Sequence, residues 1–188
     1  ITDVELGNEL AADISSLDKR GDIFAATASY GQGITVTPLQ LVMAYAAIAN
    51  EGKLMKPYII KETRKNDKIE ITEPSVVQEA ISLRAATIVS AMMVSVIEDG
   101  HAKSAGVDNY FIAGKTGTAQ VAQAGKYGES TIHSFAGFGP VDNPEFAMLV
   151  KLDHPQVGVY AASTAAPLFG EIAKFVLQYL EVAPDENI

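Results

Sequence analysis

Apolar residues recur along this chain with two periods. From Ile1 to Thr27 the pattern is polar and only weakly periodic. Leu41, Val42, Tyr45, Ile48 and Ala49 then follow helical spacing. Thr37 is placed to cap that helix, Pro38 to occupy its first turn, and Gln40 to complete a capping box. Asn50 and Gly52 supply stop signals. Tyr58 to Glu62 and Lys68 to Thr72 read as short strands around the polar turn Arg64 to Asp67. A second helix is predicted from Ser82 to Gly100, with Ile88, Val89, Met92, Met93, Val96 and Ile97 forming its apolar face. His101 to Asp108 reads as a loop, Phe111 to Val121 as extended, and Gln123 to Thr131 as a polar connection. Ser134 to Gly139 and Phe146 to Leu152 look like adjacent antiparallel strands split by the turn chemistry of Asp142, Asn143 and Pro144. A final helix runs from about Thr164 to Leu180, with Leu168, Ile172, Phe175, Val176 and Tyr179 on one face. The tail from Ala183 to Ile188 is expected to be mobile. Helices, then three strands, then a helix folding back predict an α/β fold of the α+β type: an antiparallel sheet flanked by helices.

Composition narrows the function classes. The chain has 188 residues, enough for one domain or a large part of one, and 48% of them are hydrophobic. No window reaches the unbroken apolar length of a membrane span. A formal charge of −9 argues against a nucleic-acid partner, which needs clustered Lys and Arg. The absence of cysteine excludes disulfides and thiolate metal sites, and the three histidines lack metal-ligand spacing, so neither metal nor cofactor is expected. The first residue is Ile1 rather than Met, and the chain reads as a piece of something longer.

The stretch Ala113 to Gln120, AGKTGTAQ, admits two chemistries. A phosphate-binding loop needs a glycine five positions before Gly114, where Asn109 stands, and a helix after Thr116, where Gly117 follows at once. Read instead as a strand at a cleft, Lys115 offers a positive charge, and Thr116 and Thr118 offer hydroxyls to a carboxylate. Gly117 lets a ligand approach the backbone, and a backbone N–H near Thr118 can hold a developing oxyanion. Alone, the tetrapeptide is weak evidence, and a surface turn is the commoner reading of it.

Its surroundings are more specific. ATASYGQGITVTPLQLVMAYAAIANEGKLMKPYIIKE, followed by AGKTGTAQ, HSFAGFGPVDNPEFAMLV and ASTAAPLFGEIAKFVLQYL, resembles the monofunctional, class B penicillin-binding proteins in order and spacing, from about Gly21 to Leu180. That resemblance implies the C-terminal portion (residues 1–188) of a penicillin-binding protein/serine β-lactamase-like transpeptidase domain. The implied parent is a serine D,D-transpeptidase that cross-links peptidoglycan stem peptides ending in D-Ala-D-Ala and is blocked by β-lactam antibiotics. It implies Lys115, Thr116, Gly117 and Thr118 as the catalytic, substrate-side strand, with Gln120, Ser134 and Phe135 also at the substrate. It further implies a membrane-anchored bacterial parent on the extracytoplasmic face, working with division or elongation proteins.

The family also needs a nucleophilic serine in S-x-x-K and an S-x-N element. No S-x-N occurs, and the single S-x-x-K match, Ser16 to Lys19, has the composition of a solvated turn, with Asp18 beside the lysine. The nucleophile is therefore expected in a missing N-terminal half of the same domain, leaving the isolated chain inactive and faces such as Met92/Met93 or Ile172/Phe175 without partners. Taken by themselves, Met92 and Met93 read as core filling. His133 reads as a substrate contact or a structural histidine, and His101 and His154 as loop residues. A penicillin-sensing receptor domain, a catalytically dead peptide-binding module and a β-lactamase relative are the alternatives within the same fold.

Overall fold

The computed structural model describes residues 1–123 and 126–185. Helix α1 spans Asp22–Ala28, inside the segment whose sequence shows little periodicity, and none of its residues is buried. Helix α2, Pro38–Ala49, starts as its sequence dictates. Thr37 accepts from the Gln40 backbone N–H while the Gln40 side chain accepts from the Thr37 N–H, closing a capping box on a proline-led first turn. Strand β1, Lys53–Met55, pairs antiparallel with β4, Val76–Glu79. Neither short strand carries a readable alternation. Between them lies the hairpin of β2, Glu62–Lys65, and β3, Lys68–Ile71. Its turn is tighter than expected: Asn66 and Asp67 alone connect the strands, both at positive φ, the twist that suits a two-residue connection.

Helix α3, Leu83–Glu98, is capped by the Ser82 hydroxyl. A 3-10 turn at Lys103–Ala105 leads into β5, Ala113–Gln123. Strand β6, Lys126–Gly139, begins well inside the segment expected to be a connection. Ala124 and Gly125, at the tip of that segment, lie outside the described residues. Strand β7, Phe146–Asp153, completes an antiparallel sheet in the order β5-β6-β7. After a 3-10 turn at Ala161–Ser163, helix α4, Ala165–Tyr179, returns across it.

The sheet is covered on both faces. On one, Phe135 and Val150 meet Phe169, Ala173 and Leu177 of α4, with Ile97, Ala105 and Ile112 closing the end of the cluster. The Phe135 and Phe169 rings stand 4.6 Å apart at 55°, a tilted aromatic pair. On the other, Ala113 and Phe138 pack with Met93 of α3, and with Tyr45 and Ile48 of α2.

Three expectations about packing are corrected. The apolar stripe Leu168, Phe175 and Tyr179 of α4 points outward: Phe175 is 65% and Tyr179 75% exposed. The buried face is instead built of Ala165, Ala166, Phe169, Gly170, Ala173 and Leu177. Small residues between Phe169 and Leu177 let the helix sit close, with Gly170 against the backbone of Ser104 and Ala105. In α3, Met93 is buried but Met92 is exposed; adjacent helical residues point about 100° apart and cannot both face one layer. The tail is tied down as far as Asp185: its carboxylate accepts from Phe111 N–H at 2.6 Å and its N–H donates to Asn109. Residues 186–188 of the expected mobile tail lie outside the described residues.

The two faces of α4 should respond differently to truncation. Phe169→Ala, which empties fully buried space, is expected to cost about 3–5 kcal/mol. Phe175→Ala should stay within about 0.5 kcal/mol. Urea unfolding of the two variants checks the assignment.

Candidate functional site

Register builds the site. Residues facing each other across an antiparallel pair share one side of the sheet. Lys115 pairs with Ala136 and Gly117 with Ser134, on the side covered by α2 and α3. Thr116 pairs with Phe135 and Thr118 with His133, on the side covered by α4. β5 is an edge strand, so half of its backbone donors and acceptors are directed away from β6. Among the described residues no strand pairs with that outer edge.

Two chemistries converge there from opposite faces. The Lys115 side chain folds over the edge, and its ammonium donates to the Thr116 carbonyl at 3.1 Å and hydroxyl at 3.2 Å. Thr116 and Thr118 open into a cleft of about 660 Å³ lined also by His101, Tyr160, Ala161, Ala162 and Ser163. Tyr160 is 66% exposed. The far wall is fixed by Ser104, whose hydroxyl donates to the Ala162 carbonyl, and by the Ala161 N–H, which donates to Thr118 Oγ1 at 3.1 Å. The exposed ammonium, two hydroxyls and a free strand edge suit an extended ligand ending in an anion.

Gly117 keeps that edge thin. A Cβ there would come within 2.6 Å of Ser134 Oγ. The Ser134 hydroxyl itself leans on the Gly117 carbonyl at 3.4 Å, so it belongs to the strand pairing. Gln120, two positions past Thr118, is exposed and faces Thr131. Phe135 is the correction: it is fully buried against Phe169. Its place on β6 puts it next to Thr116, but its side chain points into the core and cannot meet a substrate. His133, also fully buried, has both ring nitrogens engaged, with Thr131 at 3.1 Å and Thr164 at 2.8 Å, which is the structural alternative. Ser16 sits in a 3-10 turn, Ser15–Asp18, where it is half-buried and its hydroxyl is shielded from solvent with no hydrogen-bond partner among the described residues.

Sequence reasoning missed the far wall. Tyr160 and Ala161 belong to no predicted element, Ala162 and Ser163 open the ASTAAPLFGEIAKFVLQYL segment without a site role, and His101 reads as a loop. Their one signal is position, immediately before α4 and after α3. Other concavities are as large: one of about 800 Å³ between α2, α3 and residues 141–147, and an apolar one of about 740 Å³ bounded by α2, β1 and β4. Neither gathers an ammonium and hydroxyls along a free strand edge. The displaced acidities lie elsewhere. Asp153, at the end of β7, is held below the usual carboxylate range by a hydrogen bond from Lys151 and by its charge, and burial pushes the Tyr45 phenol up. Among the described residues no group of three or more His, Cys, Asp or Glu could hold a metal, and no helix is long and apolar enough to cross a membrane.

The family model for the penicillin binding protein transpeptidase domain matches residues 1–174. The chain belongs to that family. It is 36% identical to stage V sporulation protein D of Bacillus subtilis over 193 aligned positions, covering 99% of this chain and 30% of the relative. It is 35% identical to the peptidoglycan D,D-transpeptidase FtsI of Escherichia coli, over 87% of this chain and 27% of that one. Among solved structures, penicillin binding protein 3 of Mycobacterium tuberculosis, complexed with ampicillin, matches with a TM-score of 0.88 at 32% identity, over 99% of this chain and 44% of that one. The transpeptidase domain of Burkholderia pseudomallei penicillin-binding protein 3 matches at 0.85 and 29% identity, over 99% and 55%. The chain therefore spans less than a third of these curated relatives and about half of that transpeptidase domain. Its helices and antiparallel sheet are those of the penicillin-binding fold.

Two glycines of the strand should separate packing from access. At Gly114 a Cβ would lie inside the Phe135 ring, so Gly114→Ala should destabilise by about 1–3 kcal/mol through overpacking. At Gly117 the obstacle is the end of a small rotatable side chain, so Gly117→Ala should cost under about 1 kcal/mol. Thermal melts of the two variants measure the contrast.

Proposed function

We propose that this chain is one wall of the active site of a peptidoglycan D,D-transpeptidase. Its natural ligand is a stem peptide ending in D-Ala-D-Ala, and β-lactams are the mimics that block it. The observation that carries the reading is the convergence of the Lys115 ammonium with Thr116 on the free β5 edge, beside the Thr118 hydroxyl. A peptide laid along that edge gains backbone pairing, while its terminal carboxylate meets the positive charge and hydroxyl donors. Gly117 lets the scissile carbonyl close on the backbone, and the Thr118 N–H is assigned to the developing oxyanion. One such donor is worth about 3–4 kcal/mol in acyl transfer. Ser134 and Gln120 are assigned to flanking contacts.

Lys115 to Thr118 stabilise and orient; they do not attack. The reading assigns the attacking hydroxyl and its base to a serine-lysine pair outside this chain, in the other part of the transpeptidase domain. That serine forms the acyl-enzyme with release of D-Ala, and an amine from a second strand then takes the acyl group. The same portion is the proposed partner of the exposed Leu168, Phe175 and Tyr179 stripe. The FtsI likeness supports an extracytoplasmic site of action at the bacterial cytoplasmic membrane, in company with division or elongation proteins.

The isolated chain should form no covalent adduct with penicillin by mass spectrometry; a stoichiometric adduct would place a nucleophile within it and overturn this assignment. In the full-length protein, Lys115→Ala and Thr118→Val should each slow acylation by fluorescent penicillin at least about tenfold, the worth of one charge-assisted hydrogen bond. Acylation at the unmodified rate in both would remove this edge from the substrate site.

A further inference from the structure

His133 is a buried titratable side chain that the transpeptidase reading does not use. It has no solvent exposure, and both ring nitrogens are engaged: Nδ1 with Thr164 Oγ1 at 2.8 Å and Nε2 with Thr131 Oγ1 at 3.1 Å. The Thr164 hydroxyl's other contact, to the Tyr160 carbonyl, is longer at 3.4 Å. Thr164 stands at the N-cap of α4 yet makes no side-chain cap bond. A threonine there normally satisfies the first free N–H groups of its helix. Its hydroxyl is spent on His133 instead, a local cost whose return lies outside the helix.

These bonds close a ring. Thr118 pairs with His133 across β5 and β6, His133 holds Thr164, Thr164 holds Tyr160, and the next residue, Ala161, donates its N–H back to Thr118 Oγ1. A hydroxyl that accepts from a fixed N–H still has its own proton to donate, and the accepted bond restricts where that proton points. At Thr118 the free direction opens into the cleft shared with Thr116 and Tyr160.

We propose that His133 is a positioning residue of the substrate edge: by clasping Thr164 it holds the 160–164 turn against β5, so that Ala161 fixes the Thr118 hydroxyl as a donor to an anionic group in the cleft. The proposal rests on the transpeptidase reading of that edge and adds a residue that touches no substrate. It also explains why a fully buried histidine occupies a strand position in a layer otherwise filled by Phe135 and Val150.

The test uses the full-length protein and benzylpenicillin, with its methyl ester as the probe of weaker acceptor strength. Thr164→Val keeps the shape and removes the clasp. It should weaken the reversible binding step about tenfold, one hydrogen bond's worth, and leave the subsequent acylation rate constant unchanged. With the ester the loss should shrink. His133→Asn, whose amide can hydrogen-bond in place of Nδ1, should restore near-parental binding, whereas His133→Ala should match Thr164→Val, and the two together should add nothing further. Should His133→Ala fail to fold, Thr164→Val at an unchanged melting temperature carries the test. Parental binding in Thr164→Val, with Thr118→Val still impaired, overturns the positioning role alone. Parental acylation in Thr118→Val as well overturns the reading of the edge. Equal losses for acid and ester in Thr164→Val, or a slowed acylation constant, overturn the positioning role, because a general loosening of the sheet would produce them.

Discussion

Because side chains on a strand alternate between faces, the pairing of Thr118 with His133 decides which chemistry can exist on this sheet. With that register, Phe135 falls into the α4 layer, Ala113 and Phe138 into the opposite one, and Lys115 and Gly117 stay along the uncovered part of the edge. Slipping β5 by one residue would drive Lys115 toward Phe169 and lift Gly114 to the edge. No other single interaction fixes so many positions. The bulky anchors that lock it, Phe135, Val150 and Phe169, are all completely or nearly buried.

The same constraint bears on why the residues proposed for the site, Lys115 apart, are small. A strand sandwiched between two layers has room for chemistry only at its edge. There the backbone offers hydrogen bonds on its own, and the side chains need only add charge and direction. Lys115 adds charge by bending across the edge to Thr116, and Thr118 adds direction once its oxygen is engaged by Ala161. Larger side chains at 116–118 would cover the donors that an extended ligand needs.

How much of this the sequence disclosed depends on whether the signal was local. The capping box at Thr37 and Gln40, the Ser82 cap and the extended run around Lys115 are settled by neighbouring residues, and the structure has them where they were expected. The hairpin turn is local too, and it still came out tighter because Asn66 and Asp67 both tolerate positive φ. The buried face of α4 is not local. Hydrophobicity points to Leu168, Phe175 and Tyr179, but close packing selects Ala165, Ala173 and Gly170, the last against the backbone of Ser104 and Ala105, a preference visible only once the partner surface exists. Phe135 fails for a related reason: adjacency to Ser134 in sequence puts the two on opposite faces. The far wall, Tyr160 to Ser163, is brought to β5 by the return of a helix, and its residue types alone name no chemistry.

The outward stripe on α4 follows from the same division of labour. Leu168, Phe175 and Tyr179 lie seven and four residues apart on one side of a helix whose other side is packed against the sheet, and the Phe175 and Tyr179 rings stack 6.0 Å apart. A helix apolar on both sides is the pattern of an interior element. The structural relatives provide the room for one: this chain accounts for 55% of the transpeptidase domain it matches in Burkholderia pseudomallei. The free β5 edge and the free α4 face then have different roles. The edge offers directional hydrogen bonds, which suit the leaving ligand proposed above, whereas the face offers only apolar area, which suits a permanent neighbour. Under that proposal, a sheet with one chemistry along its rim and another behind its covering helix would bind substrate reversibly while staying locked to the part of the domain assigned the nucleophile.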